Sequence, residues 1–93
     1  MVVALLSIEC HLPAARSLKD KRMVLQSVKG RLRSLNVSVA EVEHQDLWQR
    51  AGIAVVTVAA NEELAEKALN GVLDDIERHE PSLVTRSEIE FLA

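Results

Sequence analysis

Aromatic residues, cysteine, glycine and proline are all scarce in this sequence of 93 residues. One tryptophan and one phenylalanine are too few for a β-sheet that stacks nucleobases across its face. The single cysteine, Cys10, excludes an internal disulfide and fits a reducing compartment. Three scattered glycines do not form a glycine-rich loop that cradles phosphate. The composition is nevertheless 48 % hydrophobic, which is enough to build one small core.

The sequence also lacks a long hydrophobic run. Its longest apolar stretches, Val2–Leu6 and Ala51–Ala60, fall far short of the roughly 20 residues of a membrane span. No basic segment precedes an apolar one in the manner of a signal peptide. Cys10 and His11 are adjacent, but no clustered spacing of metal ligands accompanies them. We therefore expect a single domain over residues 1–93 that is cytoplasmic, makes no membrane contact and needs neither metal nor cofactor.

Apolar periodicity divides the chain into six predicted elements. Alternation from Val2 to Leu12 indicates a strand, and apolar residues at helical spacing indicate a helix over Ser17–Leu35. The later elements are a strand at Val37–Glu43, a strand at Gly52–Ala60, a helix from Asn61 to Pro81 and a strand at Leu83–Leu92. The order βαββαβ predicts an α+β fold of the ferredoxin-like plait type, a four-stranded antiparallel sheet with both helices on one face.

Right-handed crossovers place the first and third strands at the centre of this sheet. Both strands are apolar on two faces, near Val2–Leu6 and Ile53–Val58, whereas a sheet with one wet face normally alternates. We expect a second copy of the chain to cover the free face, which predicts a homodimer. The alternative is a monomer with partly exposed valines, because scattered apolar residues are common on protein surfaces.

Basic residues are concentrated in one segment. From Arg16 to Leu35 the chain has seven basic residues and one acid, Asp20, whereas the rest has four basic residues and thirteen acids. Four of the basic residues lie where the first helix begins, although a helix N-terminus already carries partial positive charge. Either a negatively charged ligand binds at this point, or acids of the same chain neutralise the excess.

The first interpretation is an anion-binding or nucleic-acid-binding surface on the first helix. Its candidate residues are Arg16, Ser17, Lys19, Lys21, Arg22, Lys29 and Arg33. Backbone N–H groups and the Ser17 hydroxyl would face a phosphate at the start of the helix. Lys19, Arg22, Lys29 and Arg33 form a stripe about 120° from the centre of the apolar face. The stripe is about 20 Å long, which suits a phosphate backbone better than a small metabolite.

The second interpretation is that these charges are paired internally. The second helix ends in four acids, Asp74, Asp75, Glu77 and Glu80, and the topology brings that end close to the start of the first helix. Exposed ion pairs of this kind contribute about 0.2–1 kcal/mol each. The sequence leaves both interpretations open.

The connector His44–Arg50 lies at the same end of the sheet and adds the candidates His44, Gln45, Trp48, Gln49 and Arg50. Trp48 could stack on a nucleobase, although a lone tryptophan also commonly fills a core edge or an interface. His44 and Asp46 are two residues apart, but no serine or cysteine nucleophile is close in sequence. We therefore expect no catalytic residues.

Three segments carry a resemblance to a known family. They are Ala15–Arg22, Asn36–Glu41 and His44–Ala51, and in this order they resemble the YlxP-like family of small bacterial proteins, a domain of unknown function. The resemblance spans nearly the whole chain, and the C-terminal strand matches only in pattern. It implies a ferredoxin-like fold and, through gene neighbours that act in translation initiation and ribosome maturation, a connection with RNA or the ribosome. It implies no catalytic residues.

Three functional hypotheses follow from the sequence. The first is a non-enzymatic module that binds RNA or a ribosomal surface through the basic face of the first helix, with the Trp48 connector beside it. The second is a homo-oligomeric protein-interaction module whose charges are paired internally. The third is an enzyme that acts on a phosphorylated small molecule.

Overall fold

The computed structural model describes residues 1–93 and confirms the predicted order of elements. These are β1 (Val2–His11), α1 (Leu18–Leu32), β2 (Ser38–Glu43), β3 (Arg50–Ala59), α2 (Glu62–His79) and β4 (Val84–Phe91). The strands form one antiparallel sheet in the order β2-β3-β1-β4. The first and third strands are central, as predicted, and the fold is the α+β ferredoxin-like plait.

The core lies between the sheet and the two helices. Alternate residues of β1 from Ala4 to Cys10 are buried, so Cys10 is a small core residue. The main buried side chains from the other elements are Leu25, Val28, Leu32, Ile53, Val55, Leu69, Val72 and Ile76. Helix α2 runs unbroken through Asn70-Gly71, because its apolar face continues on both sides of this pair. Neither helix combines the length and apolar character that a bilayer crossing requires.

The other face of the sheet is uncovered. Its apolar part consists of two cross-strand pairs, Val3 with Val58 and Leu5 with Val56. Val58 is 50 % exposed, and the other three side chains are half-buried. Towards the connector this face becomes charged, with Glu9 opposite Arg86. On β4 the same face carries Glu90 opposite Leu5 and Glu88 opposite Ser7, so the open face is apolar along β1 and β3 at one end and mainly acidic along β4.

Predicted and observed boundaries differ by at most three residues, and hydrogen bonds to other parts of the chain account for the differences at the end of α1 and the start of β3. Helix α1 ends at Leu32 rather than Leu35, because the following segment is tied to β3. The Asn36 side-chain amide donates to the carbonyl of Val58 at 3.0 Å, and the Thr57 hydroxyl donates to the carbonyl of Asn36 at 2.7 Å. Strand β3 begins at Arg50, earlier than expected, because Arg50 still pairs with His11.

Gly52 is required by a close approach of two strands. The β2–β3 register shifts between Glu41 and Glu43, and Glu43 is then opposite Gly52. A Cβ atom on Gly52 would lie 2.6 Å from the Cβ of Glu43, which is too close for any side chain. This shift leads directly into the connector at His44, where the backbone adopts a left-handed conformation with φ of 60°.

Candidate nucleic-acid interface

Helix α1 begins at a closed cap rather than at an open anion site. The Ser17 hydroxyl oxygen accepts a hydrogen bond from the backbone N–H of Asp20 at 3.0 Å, and the Asp20 carboxylate accepts one from the backbone N–H of Arg16 at 2.9 Å. Asp20 thus supplies negative charge at the positive end of the helix. Because the chain itself provides the charge expected from a phosphate, we assign Ser17 to the cap and not to a binding surface.

The sequence prediction for Lys21 is wrong, because this residue is only 2 % exposed. Its ammonium donates to the backbone carbonyls of His44 at 2.7 Å, Leu47 at 2.6 Å and Arg50 at 3.0 Å. The same nitrogen lies 2.7 Å from Oε2 of Glu41. A lysine ammonium has three N–H donors, so none remains for a ligand. Lys21 instead fastens the connector to α1.

The acidic end of α2 neutralises one basic residue of α1. Nε of Arg31 lies 3.0 Å from Oδ1 of Asp75, and its Nη1 lies 4.0 Å from Oε1 of Glu80. Nη1 also donates to the hydroxyl of Ser27 at 3.0 Å. Internal pairing is therefore the correct interpretation for Arg31, which was outside the predicted stripe.

The four basic residues of the predicted stripe, and Arg16 just before the helix, have no internal ion-pair partner. Five basic side chains of this segment lie more than 4.0 Å from every carboxylate of the chain: Arg16, Lys19, Arg22, Lys29 and Arg33. All are exposed except Lys29, which is half-buried. We call these five residues the basic flank of α1.

A groove separates the basic flank from the edge strand β2. Its volume is about 290 Å³, and Arg22 and Lys29 line its helix side. Glu41, already paired with Lys21, and Gln45 line the opposite side. Because β2 is at the edge of the sheet, the groove is open along one side. An extended, negatively charged chain could lie in it against the basic flank.

The five connector candidates divide into anchored and free side chains. Gln49 is anchored, since its amide donates to the carbonyls of Pro13 at 3.2 Å and Ala15 at 3.3 Å. His44 and Arg50 both contact Glu9, as described below. Gln45 only donates to the carbonyl of Glu41 at 3.2 Å, and the Trp48 indole is 52 % exposed. Among these five candidates, Gln45 and Trp48 are therefore the side chains that are free of tertiary anchoring.

Glu9 is a site residue that sequence reasoning missed. Its Oε1 lies 2.7 Å from Nη2 of Arg50 and 2.8 Å from Nε2 of His44. The hydrogen bond from Arg50 is the main cause that lowers the pKa of the Glu9 carboxyl below its ordinary value of 4.5. The only available signal was a single acid on the polar face of β1, which does not reveal a partner more than thirty residues away.

Glu43 completes a group of three potential metal ligands with Glu9 and His44, whose donor atoms all lie within 4.8 Å of one another. The guanidinium of Arg50 already occupies Oε1 of Glu9, so a positive charge is in place where a cation would bind.

Cys10, on the opposite face of β1, is buried, and this burial raises the pKa of its thiol to about 12. A thiol of this kind is a poor nucleophile at neutral pH.

The fold and this surface define a small ferredoxin-like protein with one charged helix flank. The chain matches the family described as "Protein of unknown function (DUF503)" over residues 3–89. It is also similar to the uncharacterized protein YlxP of Bacillus subtilis (strain 168), with 39% identity over 66 residues that cover 70% of this chain and 72% of that protein. The chain therefore belongs to the DUF503 family, in agreement with the YlxP-like resemblance of its sequence.

Proposed function

We propose that this protein is a non-enzymatic binding module for RNA or a ribosomal surface, acting in the cytoplasm in translation or ribosome maturation. One observation carries the proposal: the chain pairs Lys21 and Arg31 with its own acids but leaves the basic flank without a partner. In a protein of net charge −3, acids are plentiful enough to neutralise these cations. Their separation from the acids favours an external anion.

The geometry favours an extended anion over a compact one. A single phosphate would bind best to the N-terminus of α1, but there the Ser17 hydroxyl and the Asp20 carboxylate already accept hydrogen bonds from backbone N–H groups. The remaining cations extend from Lys19 to Arg33, a span of about 20 Å at the helical rise per residue. A nucleic-acid backbone places successive phosphates along such a line, and lysine and arginine contacts to them give affinity without sequence selection.

The test is salt-dependent binding of a fluorescein-labelled RNA hairpin, followed by fluorescence anisotropy. Four phosphate contacts predict a log–log salt slope of about −3 to −4, so affinity should fall by roughly 100-fold from about 50 to 200 mM salt. The triple variant Lys19→Glu, Arg22→Glu, Lys29→Glu should lose most of this binding.

The matched control is a triple variant with the same change in net charge, Lys67→Glu, Arg78→Glu, Arg86→Glu, whose three side chains are exposed and outside the basic flank. This control should keep most of the hairpin affinity and the salt slope. Equal losses in the two triple variants would show that net charge alone controls binding, and unchanged affinity in the first would refute the proposed surface.

A second candidate is a homodimer that docks through the open face of the sheet. The apolar pairs Val3–Val58 and Leu5–Val56 favour it, because their exposed area would be removed from water. Glu9, Glu88, Glu90 and Arg86 share this face, so a second copy would have to bring Arg86 of one protomer close to the acids of the other. Sedimentation equilibrium at high micromolar concentration tests this candidate. A dimer that dissociates in the Val56→Lys variant supports it, and a monomeric parent protein refutes it.

A further inference from the structure

Hydrogen bonds from α1 and from the end of β1 fix the seven-residue connector along its whole length. Lys21 binds carbonyls at its beginning, middle and end, namely those of His44, Leu47 and Arg50. From the other side, the backbone N–H of Leu12 donates to the carbonyl of Gln49 at 2.9 Å. Burying an ammonium group is costly unless its hydrogen bonds are all satisfied. The chain uses this buried group to hold one particular backbone conformation.

The fixed connector presents its largest apolar side chains to solvent. Trp48 is 52 % exposed and Leu47 is 45 % exposed. A connector that only closed the core would bury these two apolar side chains. Instead, a rigid backbone holds an indole outward, which is the arrangement of a preformed stacking surface.

The space beside Trp48 is a shallow recess in the surface, open to solvent on most sides, whose volume is in the range of ligand sites. An open recess of about 530 Å³ is lined by Trp48 together with His11, Asp46, Leu47, Gln49 and Arg50. Ligand sites of small molecules and single nucleotides commonly have volumes of about 300–1,000 Å³. The recess combines one aromatic face with side chains that donate and accept hydrogen bonds, a combination that suits a nucleobase.

The recess adjoins the basic flank through the connector itself. Gln45, near the start of the connector, lines the groove with Arg22 and Lys29, and Trp48 lies three residues further on. Because successive side chains of a strand point to opposite faces, His11 and Arg50 place the recess on the open face of the sheet, whereas the groove lies beside α1. A strand whose phosphates lie along the basic flank would therefore pass around the connector, over the three residues from Gln45 to Trp48, to bring one base to the recess.

We propose that the connector is a preformed platform for one unpaired nucleobase, which stacks on Trp48 while its backbone continues along the basic flank. This rests on the proposed function and narrows its ligand class to RNA with unpaired nucleotides next to a helix. Lys21 and Gln49 are positioning residues, because all of their side-chain N–H groups donate to backbone carbonyls and none is left for the base. Trp48 is the residue that touches the base.

The test compares two hairpins that differ only in a short single-stranded uridine overhang. Stacking of one base predicts that the overhang increases affinity by roughly 5- to 150-fold. Because Trp48 is the only tryptophan and the chain has no tyrosine, its fluorescence reports on this site alone. The overhang hairpin should quench this fluorescence, and the blunt hairpin should not.

Variants separate stacking from charge. Trp48→Leu should abolish the preference for the overhang while keeping blunt-hairpin affinity and its salt slope, and Trp48→Phe should restore part of the preference. Gln49→Ala loses two hydrogen bonds at the surface and should remain folded, so it tests positioning even if Lys21→Met does not fold. It should reduce the overhang preference severalfold without changing the salt slope.

The possible failures are distinguishable. Salt-dependent binding of both hairpins with equal affinity and no quenching would overturn the stacking platform and leave the proposed function intact. A concentration-dependent shift of Trp48 fluorescence without RNA would overturn it in favour of a contact between copies of the chain. Absence of binding to either hairpin would overturn both proposals.

Discussion

Lys21 and Arg22 are neighbours in sequence with the same charge, yet they lie in opposite environments. Lys21 is buried and contacts four oxygen atoms of its own chain, whereas Arg22 is exposed and lines an open groove. The same contrast separates the two sides of α1, since Arg31 pairs with α2 and the basic flank pairs with nothing. The comparison teaches that a cluster of like charges in sequence can contain a buried, internally bonded member and an exposed, unpaired member one residue apart.

The largest expected effect is the loss of folding stability when Lys21 is replaced. The Lys21→Met variant leaves three carbonyls without their donor and the Glu41 carboxylate without its counter-charge, so we expect the free energy of unfolding to fall by about 3 kcal/mol. Urea denaturation measures this loss. The matched variant Arg22→Met should change stability by no more than about 0.5 kcal/mol. Similar losses in both variants would contradict the assignment of Lys21 to the interior.

A smaller effect is expected at Arg31. Its partner Asp75 is only partly exposed, so Arg31→Met should cost about 1 kcal/mol of unfolding free energy. RNA affinity should stay unchanged, because Arg31 lies on the side of α1 that faces α2. The comparison variant is Arg33→Met, for which we expect unchanged stability and a smaller salt slope. Reversed results for these two arginines would show that the sides of α1 were assigned wrongly.

Substitution of Gly30 by alanine changes the stability of α1 without changing its charge. A Cβ atom at this position meets nothing within 4 Å, so Gly30→Ala should stabilise the protein by about 0.5–1 kcal/mol. Gly71→Ala in α2 is equally free of contacts and provides the control. Both should raise the melting temperature and leave RNA affinity as it is. Reduced RNA affinity in Gly30→Ala alone would mean that the ligand approaches the helix backbone there.

The smallest effect concerns acid stability. Because the pKa of Glu9 is lowered in the folded state, its contribution is fully present above pH 4.5 and is lost as pH falls below that value. Glu9→Gln should therefore flatten the acid limb of a plot of urea midpoint against pH, whereas Glu88→Gln should not. An unchanged acid limb in Glu9→Gln would show that the contact with Arg50 contributes nothing measurable in solution.

Much of the fold could be predicted from the sequence because it depends on local patterns. Alternation in β1, helical spacing through Asn70-Gly71 and the caps at Ser17 and Asn61 all specify structure within a few residues. The end of α1 was harder, because it depends on hydrogen bonds between Asn36 and β3, which is distant in sequence.

The candidate site was predictable as a segment but not residue by residue. Helical geometry separated the stripe from the apolar face, yet Lys21 was grouped with exposed cations because its hydrogen-bond acceptors are backbone carbonyls. Every residue has a backbone carbonyl, so the residue types do not reveal which carbonyls accept a hydrogen bond, and the positions of these groups depend on the path of the connector. Glu9 escaped notice for a related reason, since its partners His44 and Arg50 come from the connector and from the start of β3.

The way Lys21 holds the connector has a consequence for protein engineering. Three of its four contacts are to main-chain oxygens, which every amino acid possesses, so the conformation of that segment depends little on which side chains it displays. Positions 45, 46 and 48 could therefore be randomised as an exchangeable cassette on an unchanged scaffold. One interior residue would then support many alternative recognition chemistries.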